Sequence, residues 1–391
     1  MKILLVHNEY GKYSGEEAVV DKMAMIFTGL GHDVAQLRMS TAGVRESISG
    51  KIRGFLSGLW CPSGIKAMRE AIEREHPDVV NVHNLYPFIS PAALRECKKA
   101  GIPVVMTIHN FRLICPTGLF MRDGAPCELC LQRGDEWGCV RYNCEQSRLK
   151  SIGYAARNAV ARLGSHYKDC VDRYACITDF QRRKLTEAGY PSERLTLIPN
   201  PMDIDCVNID DPHNGQCGNY VAFCGRISRE KGIDLIIEAA RQNPDITFRL
   251  AGAVADETLI ADKPENIHLL GYVKGKNLED FYLNSRLVIM ASRCYEGFPM
   301  AILEAAKYNK ATVAPDHGGF TEIIGKGENT IGALFTPGDA LALSREIRKL
   351  WDSPDLATKL GAAANAKLRR EYSTAVISRK WQHLLDDLTS R

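Results

Sequence analysis

The sequence predicts an α/β protein made of two doubly wound, parallel-sheet halves in tandem. Short apolar runs of strand length alternate with helix-like stretches from the first residues onward, which is the pattern of βαβ units. The alternation halts in a polar stretch containing Pro and Gly at 199–219 and then starts again. A chain of 391 residues, 45% hydrophobic, has the length for two or three domains of roughly 150 residues each.

In the first half, KILLVH (2–7) is a strand that runs into a polar loop. Ser14-Gly-Glu-Glu17 then forms an S-x-x-E capping box, in which the hydroxyl and the carboxylate satisfy the first free amides of a helix. Gly31 is placed to end that helix before the strand HDVAQL. Strands are expected again at 78–84, 103–110, 175–180 and 195–200, closing a first domain at residue 200. The second series comprises YVAFCGRI, ITFRLAGA, NIHLLGYV, RLVIMAS and ATVAPD, separated by stretches such as GIDLIIEAARQN, and fills a second domain over 201–372. From Asp339 onward the pattern is mostly helical. The last helix, 374–389, aligns Val376, Ile377, Trp381, Leu384, Leu385 and Leu388 as one apolar stripe, and we expect 373–391 to cross back to the first domain.

The net charge of +3 conceals an asymmetry: residues 1–198 hold 27 Lys/Arg against 21 Asp/Glu, and the rest of the chain is net acidic. The first half is therefore the one suited to an acidic partner or an anionic membrane surface. Several of the 13 cysteines, such as Cys176 and Cys224, lie in apolar strand-like runs and read as small buried hydrophobes in a reducing compartment. The start MKILLVHNEYG has neither the apolar core nor the cleavage site of a secretion signal. No apolar run approaches the roughly 18 residues of a spanning helix, so a cytoplasmic location is expected. Aromatics are not interleaved with basic residues as nucleic-acid binding would favour.

Two segments carry the chemistry. Gly225-Arg226-Ile227-Ser228-Arg229-Glu230-Lys231-Gly232 follows a strand and precedes a helix, where doubly wound folds bind ligands. Gly225 lets the backbone approach a ligand, and Arg226 and Lys231 suit a departing diphosphate; the bland reading is a solvated basic turn. The second segment, Glu296-Gly-Phe-Pro-Met-Ala-Ile-Leu-Glu304, again joins a strand to a helix. With Pro299 in the first helical turn, the amides of Gly297 and Phe298 would face an anion. Glu296 in the loop and Glu304 in the helix could accept hydrogen bonds from a sugar and a ribose diol; otherwise they are surface glutamates on a capped helix.

Together these segments resemble the GT-B glycosyltransferases, most closely glycosyltransferase family 4, with its G-R-x4-K-G turn and E-x7-E helix. The likeness extends through GHDV (31–34), PNPMD (199–203), GYV (271–273) and the Gly318, Gly319, Glu322 set, and so covers essentially the whole chain. It implies two Rossmann-like domains facing across a cleft and a nucleotide-diphosphate sugar as donor, a UDP- or GDP-sugar first among the choices. It further implies that Arg226 and Lys231 bind the diphosphate, Glu304 the ribose, and Glu296 the donor sugar. On the same grounds Gly271, Tyr272 and Val273 read the base, and His109 faces the donor sugar. Ser14, Gly15 and Glu16 correspond to the loop that closes over the phosphates, although only one glycine stands there where many relatives have two.

The family is retaining, and the implied chemistry is a front-face substitution in which the leaving diphosphate helps take the acceptor's proton. No catalytic metal is implied; Asp203 and Asp205 form a D-x-D, but in the linker. The acceptor would be a glycan or a polyprenyl-linked saccharide, the role one step of bacterial surface-polysaccharide synthesis. The basic-apolar stretches 52–60 and 148–168 could rest on an anionic bilayer at the inner face of the membrane, or be ordinary half-buried helices. Cys115, Cys127, Cys130, Cys139 and Cys144 have a spacing compatible with structural zinc, with free thiols or disulfides as the alternatives. A nucleotide-sugar 2-epimerase on the same scaffold and a silent binding subunit are the competing functions. A dehydrogenase is disfavoured because no G-x-G-x-x-G follows the first strand.

Overall fold

The computed structural model describes residues 1–11, 15–43, 48–204 and 218–389; Ser14 and most of the linker lie outside them. The chain divides into two compact units. One comprises Met1–Leu119, Glu128–Pro201 and Ala375–Arg391, the other Phe120–Cys127 and Met202–Thr374.

The first unit holds strands β1 (Lys2–Glu9), β2 (Asp33–Ser40), β3 (Val79–Val82) and β4 (Val104–Ile108). After a two-stranded hairpin, β5 (Met121–Arg122) and β6 (Ala125–Pro126), come β7 (Arg173–Cys176) and β8 (Leu195–Leu197). The six long strands form one sheet in the order β2-β1-β3-β4-β7-β8, all parallel. β3 and β4 are buried throughout, as befits strands covered on both faces, whereas the edge strand β2 is half-exposed along its length. The first helix, Gly15–Gly29, ends two residues before Gly31, whose φ of +83° takes the chain into β2.

Core residues of that helix, Met23, Ile26 and Phe27, meet Ile3, Leu5, Val79 and Val105 of the sheet. The same cluster includes Ile377, Trp381, Leu384, Leu385 and Leu388 from the last helix, Thr374–Thr389. Trp381 is 1% exposed, its ring edge-on to Phe27 with centroids 5.3 Å apart. Val376 is only half-buried, so the stripe closes through the other five positions.

The second unit carries β9 (Val221–Cys224), β10 (Phe248–Ala251), β11 (Ile267–Gly271), β12 (Leu287–Ile289), β13 (Ala311–Pro315) and β14 (Gly332–Phe335). Their order, β11-β10-β9-β12-β13-β14, is the third-second-first-fourth-fifth-sixth arrangement of a Rossmann sheet, again all parallel. The order reverses between β9 and β12, which fixes where a crevice opens at the strands' carboxyl ends. β14 is absent from the strands expected from sequence, since four residues that include Gly332 give too short a run to register.

The hairpin differs from expectation. It belongs to the cysteine-rich stretch assigned to the first domain, yet Phe120–Cys127 groups with the second unit. Phe120 stands edge-on to Tyr295 at 6.0 Å, and the Arg293 guanidinium donates to the Gly124 carbonyl at 3.2 Å.

Candidate functional site

In the second unit the two motif segments converge on the sheet's switch point. The strand β9 runs into Gly225 and Arg226, and a short 3-10 turn, Arg229–Lys231, leads into the helix Ile233–Arg241. Gly232 joins turn to helix at φ +69°, and a Cβ there would fall 2.0 Å from the Ala291 carbonyl oxygen, just past β12. Only glycine lets the turn lie this close to the end of the neighbouring strand. The closeness brings the Lys231 ammonium to 2.6 Å from Glu296 Oε1. Ser292 donates to the same carboxylate oxygen, and the Arg293 amide donates to the Glu230 carbonyl at 2.9 Å, lacing the strand end to the turn.

Burial opposes the Lys231 charge, but the carboxylates of Glu296 and Glu230 together hold its pKa above the ordinary lysine value. Arg226 is exposed and pairs with Glu230. Arg293, a third cation at this strand end that motif spacing did not single out, pairs with Asp234.

Glu304 lies in the helix Met300–Lys307, which Pro299 precedes as the capping residue instead of occupying its first turn. The buried Tyr282 hydroxyl donates to Glu304 Oε2 at 2.5 Å, and Tyr282 stacks on Tyr308 with centroids 5.8 Å apart. Burial raises the Glu304 pKa, against the Tyr282 hydrogen bond and Lys307. Phe298 is buried with its ring against Tyr372, and Gly297 is half-buried. Tyr272 is exposed after Gly271, and Val273 packs partly into the cluster around Tyr220, Phe281 and Tyr282.

In the first unit, His109 follows β4 and its Nε2 lies 2.8 Å from His83 Nδ1. His83 Nε2 lies 2.9 Å from Asn81 Oδ1, while the Asn81 amide donates to the Val105 carbonyl and the Thr107 hydroxyl. This chain of bonds assigns the tautomers. With both Asn81 N–H groups used, its oxygen must accept from His83 Nε2; His83 Nδ1 then accepts, and His109 must donate from Nε2. His109 is thereby left with an unprotonated Nδ1. Burial lowers the pKa of both rings, that of His83 further because His109 and His7 stand beside it.

The sequence reading missed His7, His83 and Arg112, although a signal was present. His-Asn recurs at the ends of three neighbouring strands, as His7-Asn8, His83-Asn84 and His109-Asn110. The asparagines hold the loops: Asn8 Oδ1 accepts from the Phe88 amide, Asn84 Oδ1 from Tyr86, and Asn110 Oδ1 from Arg112. Arg112 donates to the Tyr10 hydroxyl at 2.9 Å, and Tyr10 in turn donates to Glu16 Oε2 at 2.9 Å. Glu16, His83, His109, Arg112 and Tyr167 line one small cavity. Gly15 is exposed at the start of the first helix; the Ser14 assignment lies outside the described residues.

Of the five cysteines considered for zinc, Cys139 has Cys144 as a hydrogen-bond partner and Cys115 and Cys130 as near neighbours, although among the described residues no group of three or more His, Cys, Asp or Glu is arranged as metal ligands. Cys115 Sγ lies 3.2 Å from the Thr117 hydroxyl, Cys139 Sγ faces the Ser151 carbonyl, and Cys127 falls in the other unit from Cys130.

Residues 13–205 match the family model for Glycosyltransferase Family 4, and residues 211–367 match that for Glycosyl transferases group 1. The chain is 26% identical over 348 residues to an alpha-D-kanosaminyltransferase from Streptomyces kanamyceticus, an alignment spanning 84% of this chain and 81% of that one. It is 22% identical over 231 residues to the amylovoran biosynthesis glycosyltransferase AmsK of Erwinia amylovora, spanning 54% and 55%. Anabaena HepE, solved with UDP and glucose, shares the fold at a TM-score of 0.71 and 17% identity, over 99% of this chain and 100% of that one. The two tandem Rossmann sheets and the two matched family models show that the chain belongs to the GT-B glycosyltransferases of family 4.

Proposed function

We propose that this protein is a retaining transferase that moves a sugar from a nucleoside-diphosphate sugar onto a glycan or polyprenyl-linked acceptor. The pathway we propose is bacterial surface-polysaccharide synthesis at the cytoplasmic face of the membrane. The observation that carries the reading is the Lys231–Glu296 pair at the β9–β12 switch point, with Arg226 on the same turn. A diphosphate at this point draws Lys231 and Arg226 to its oxygens, and their charge stabilises the leaving group as it departs. Glu296, released from Lys231, is then free to accept a hydrogen bond from the donor sugar. Glu304, steadied by Tyr282, takes the ribose diol. His109 presents its unprotonated Nδ1 as an acceptor toward the sugar. Gly15, Glu16, Gly225, Tyr272, Val273, Gly297, Phe298 and Pro299 complete the proposed donor site, and the domain limits at about 200 and 372 belong to the same proposal. Support comes from AmsK, named for amylovoran biosynthesis, and from HepE, solved with UDP and glucose.

A thermal-shift series with UDP, GDP, ADP and CMP tests the donor, because a ligand bound only by the native state raises stability by about 2.7 kcal/mol at a hundredfold excess over Kd. One nucleoside diphosphate should raise Tm, and product NMR should show the donor's anomeric configuration retained. Stabilisation by none of them, an inverted product, or an altered donor sugar without acceptor, as an epimerase gives, would each overturn the reading.

A further inference from the structure

Nine of the thirteen large apolar side chains exposed among the described residues fall between positions 55 and 163, so the exposed apolar surface is concentrated in one part of the first unit. Its centre is a pair of helices, Ile48–Leu59 and Arg148–Leu163. They pack closely at Gly153, where a Cβ would fall 2.2 Å from the ring of Phe55. That contact sets Phe55, Leu56 and Trp60 beside the outer face of the second helix. There Leu149, Ile152 and Leu163 recur at helical spacing, Leu149 80% and Leu163 75% exposed. Side chains of this kind turned outward on two adjacent helices are not explained by packing within the unit, which takes Ser151, Ala155, Asn158 and Ala161 from the other side of the second helix.

Charge identifies the partner. Neither helix contains an Asp or Glu. Arg53, Arg148 and Lys150 are exposed on them, the last two flanking Leu149. Arg162 is also exposed but is engaged by Glu136. Bulky apolar side chains interleaved with cations on a helix face are the pattern of a segment that lies in the plane of a bilayer surface, its apolar groups among the acyl chains and its cations at anionic headgroups. No helix among the described residues is long and apolar enough to cross a membrane, so such attachment would be at the surface.

We infer that this helix pair docks the protein on an anionic phospholipid bilayer through Leu149, Ile152, Leu163, Phe55, Leu56 and Trp60, with Arg53, Arg148 and Lys150 facing the headgroups. The inference deepens the proposed reading, in which the acceptor can be carried on a lipid, and its readout is separate from donor binding.

The test uses the full chain sedimented with vesicles of phosphatidylcholine alone or with 30% phosphatidylglycerol, at low and high salt. Partitioning should favour the anionic vesicles by about tenfold or more and weaken at high salt. Emission from the exposed Trp60 and Trp137 should shift to the blue on binding. Leu149→Ser with Leu163→Ser, both at exposed positions, should lower partitioning by about tenfold or more while leaving Tm and the nucleotide-induced shift unchanged. Equal partitioning onto both vesicles, equal partitioning of the double variant and the parent, or binding to a soluble polyanion with no spectral shift on vesicles would overturn the inference. The last result would point to an acidic macromolecule as partner. If vesicle binding fails while a nucleoside diphosphate still raises Tm, only the docking surface falls; the reverse result removes the donor reading alone.

Discussion

Lys231 is held between carboxylates, and that arrangement sets what its removal would do. Lys231→Ala leaves Glu296, whose side chain is 11% exposed, without its cation. We expect a loss of about 1–3 kcal/mol in stability, measured by urea denaturation. The loss in kcat/KM should be larger, about 10²–10³-fold, the scale on which a single charge-stabilising donor acts. A variant as active as the parent would contradict the diphosphate role. The histidines make a second prediction. Burial lowers the pKa of His7, His32, His83, His109, His166 and His317. A depressed folded-state pKa means that the unfolded chain binds more protons below the ordinary value of about 6.5, so stability is present above that pH and is lost as pH falls through the folded values. Stability, and with it Tm, should therefore fall between pH 7 and pH 5, the unfolding free energy dropping by up to about 1.4 kcal/mol per pH unit for each histidine titrating. A flat profile would show that these rings are not buried as described. Candidate charges were legible in the sequence because Arg226, Lys231, Glu296 and Glu304 fall in ordered motifs. The Asn81–His83–His109 relay was not, because hydrogen bonds between residues 26 apart leave no local spacing.

At the scale of the element, the turn between β9 and its helix depends on glycine for two separable reasons. Gly232 has φ +69° and a backbone oxygen 2.0 Å from where a Cβ would lie, whereas Gly271, with φ +66°, has open space around it. Gly271→Ala should cost about 1 kcal/mol from conformation alone, and Gly232→Ala distinctly more, because the turn must also move away from Ala291. Equilibrium unfolding of the two variants checks the difference, and equal losses would mean that the close approach is not needed. Strands β1, β4, β9 and β13 were readable as apolar runs bounded by polar turns. β14 and the hairpin at 121–126 were not, since two to four residues carry too little pattern to stand out. Pro299 falls just before its helix, not within it, a shift of the size expected where caps alone mark a boundary.

For the molecule as a whole, the last helix makes the first unit's core discontinuous in sequence. Trp381→Ala removes a 1%-exposed ring from the cluster of Phe27, Ile3 and Val105 and should destabilise the protein by about 3–5 kcal/mol. Calorimetry should show the transition of the first unit lowered, although the substitution lies ten residues from the chain's end. An unchanged profile would place that helix outside the core. The family's two ordered motifs, the alternation of strands and helices and the apolar stripe of the last helix were all determined by the sequence itself, because strand length, helical spacing and turn chemistry act over a few neighbouring residues. Tertiary structure alone decided the strand orders, the grouping of Phe120–Cys127 with the second unit, the meeting of three His-Asn strand ends, and the outward turn of Leu149 and Leu163. Each of these depends on which distant surfaces exclude water together, and residues far apart along the chain do not record that in their local pattern.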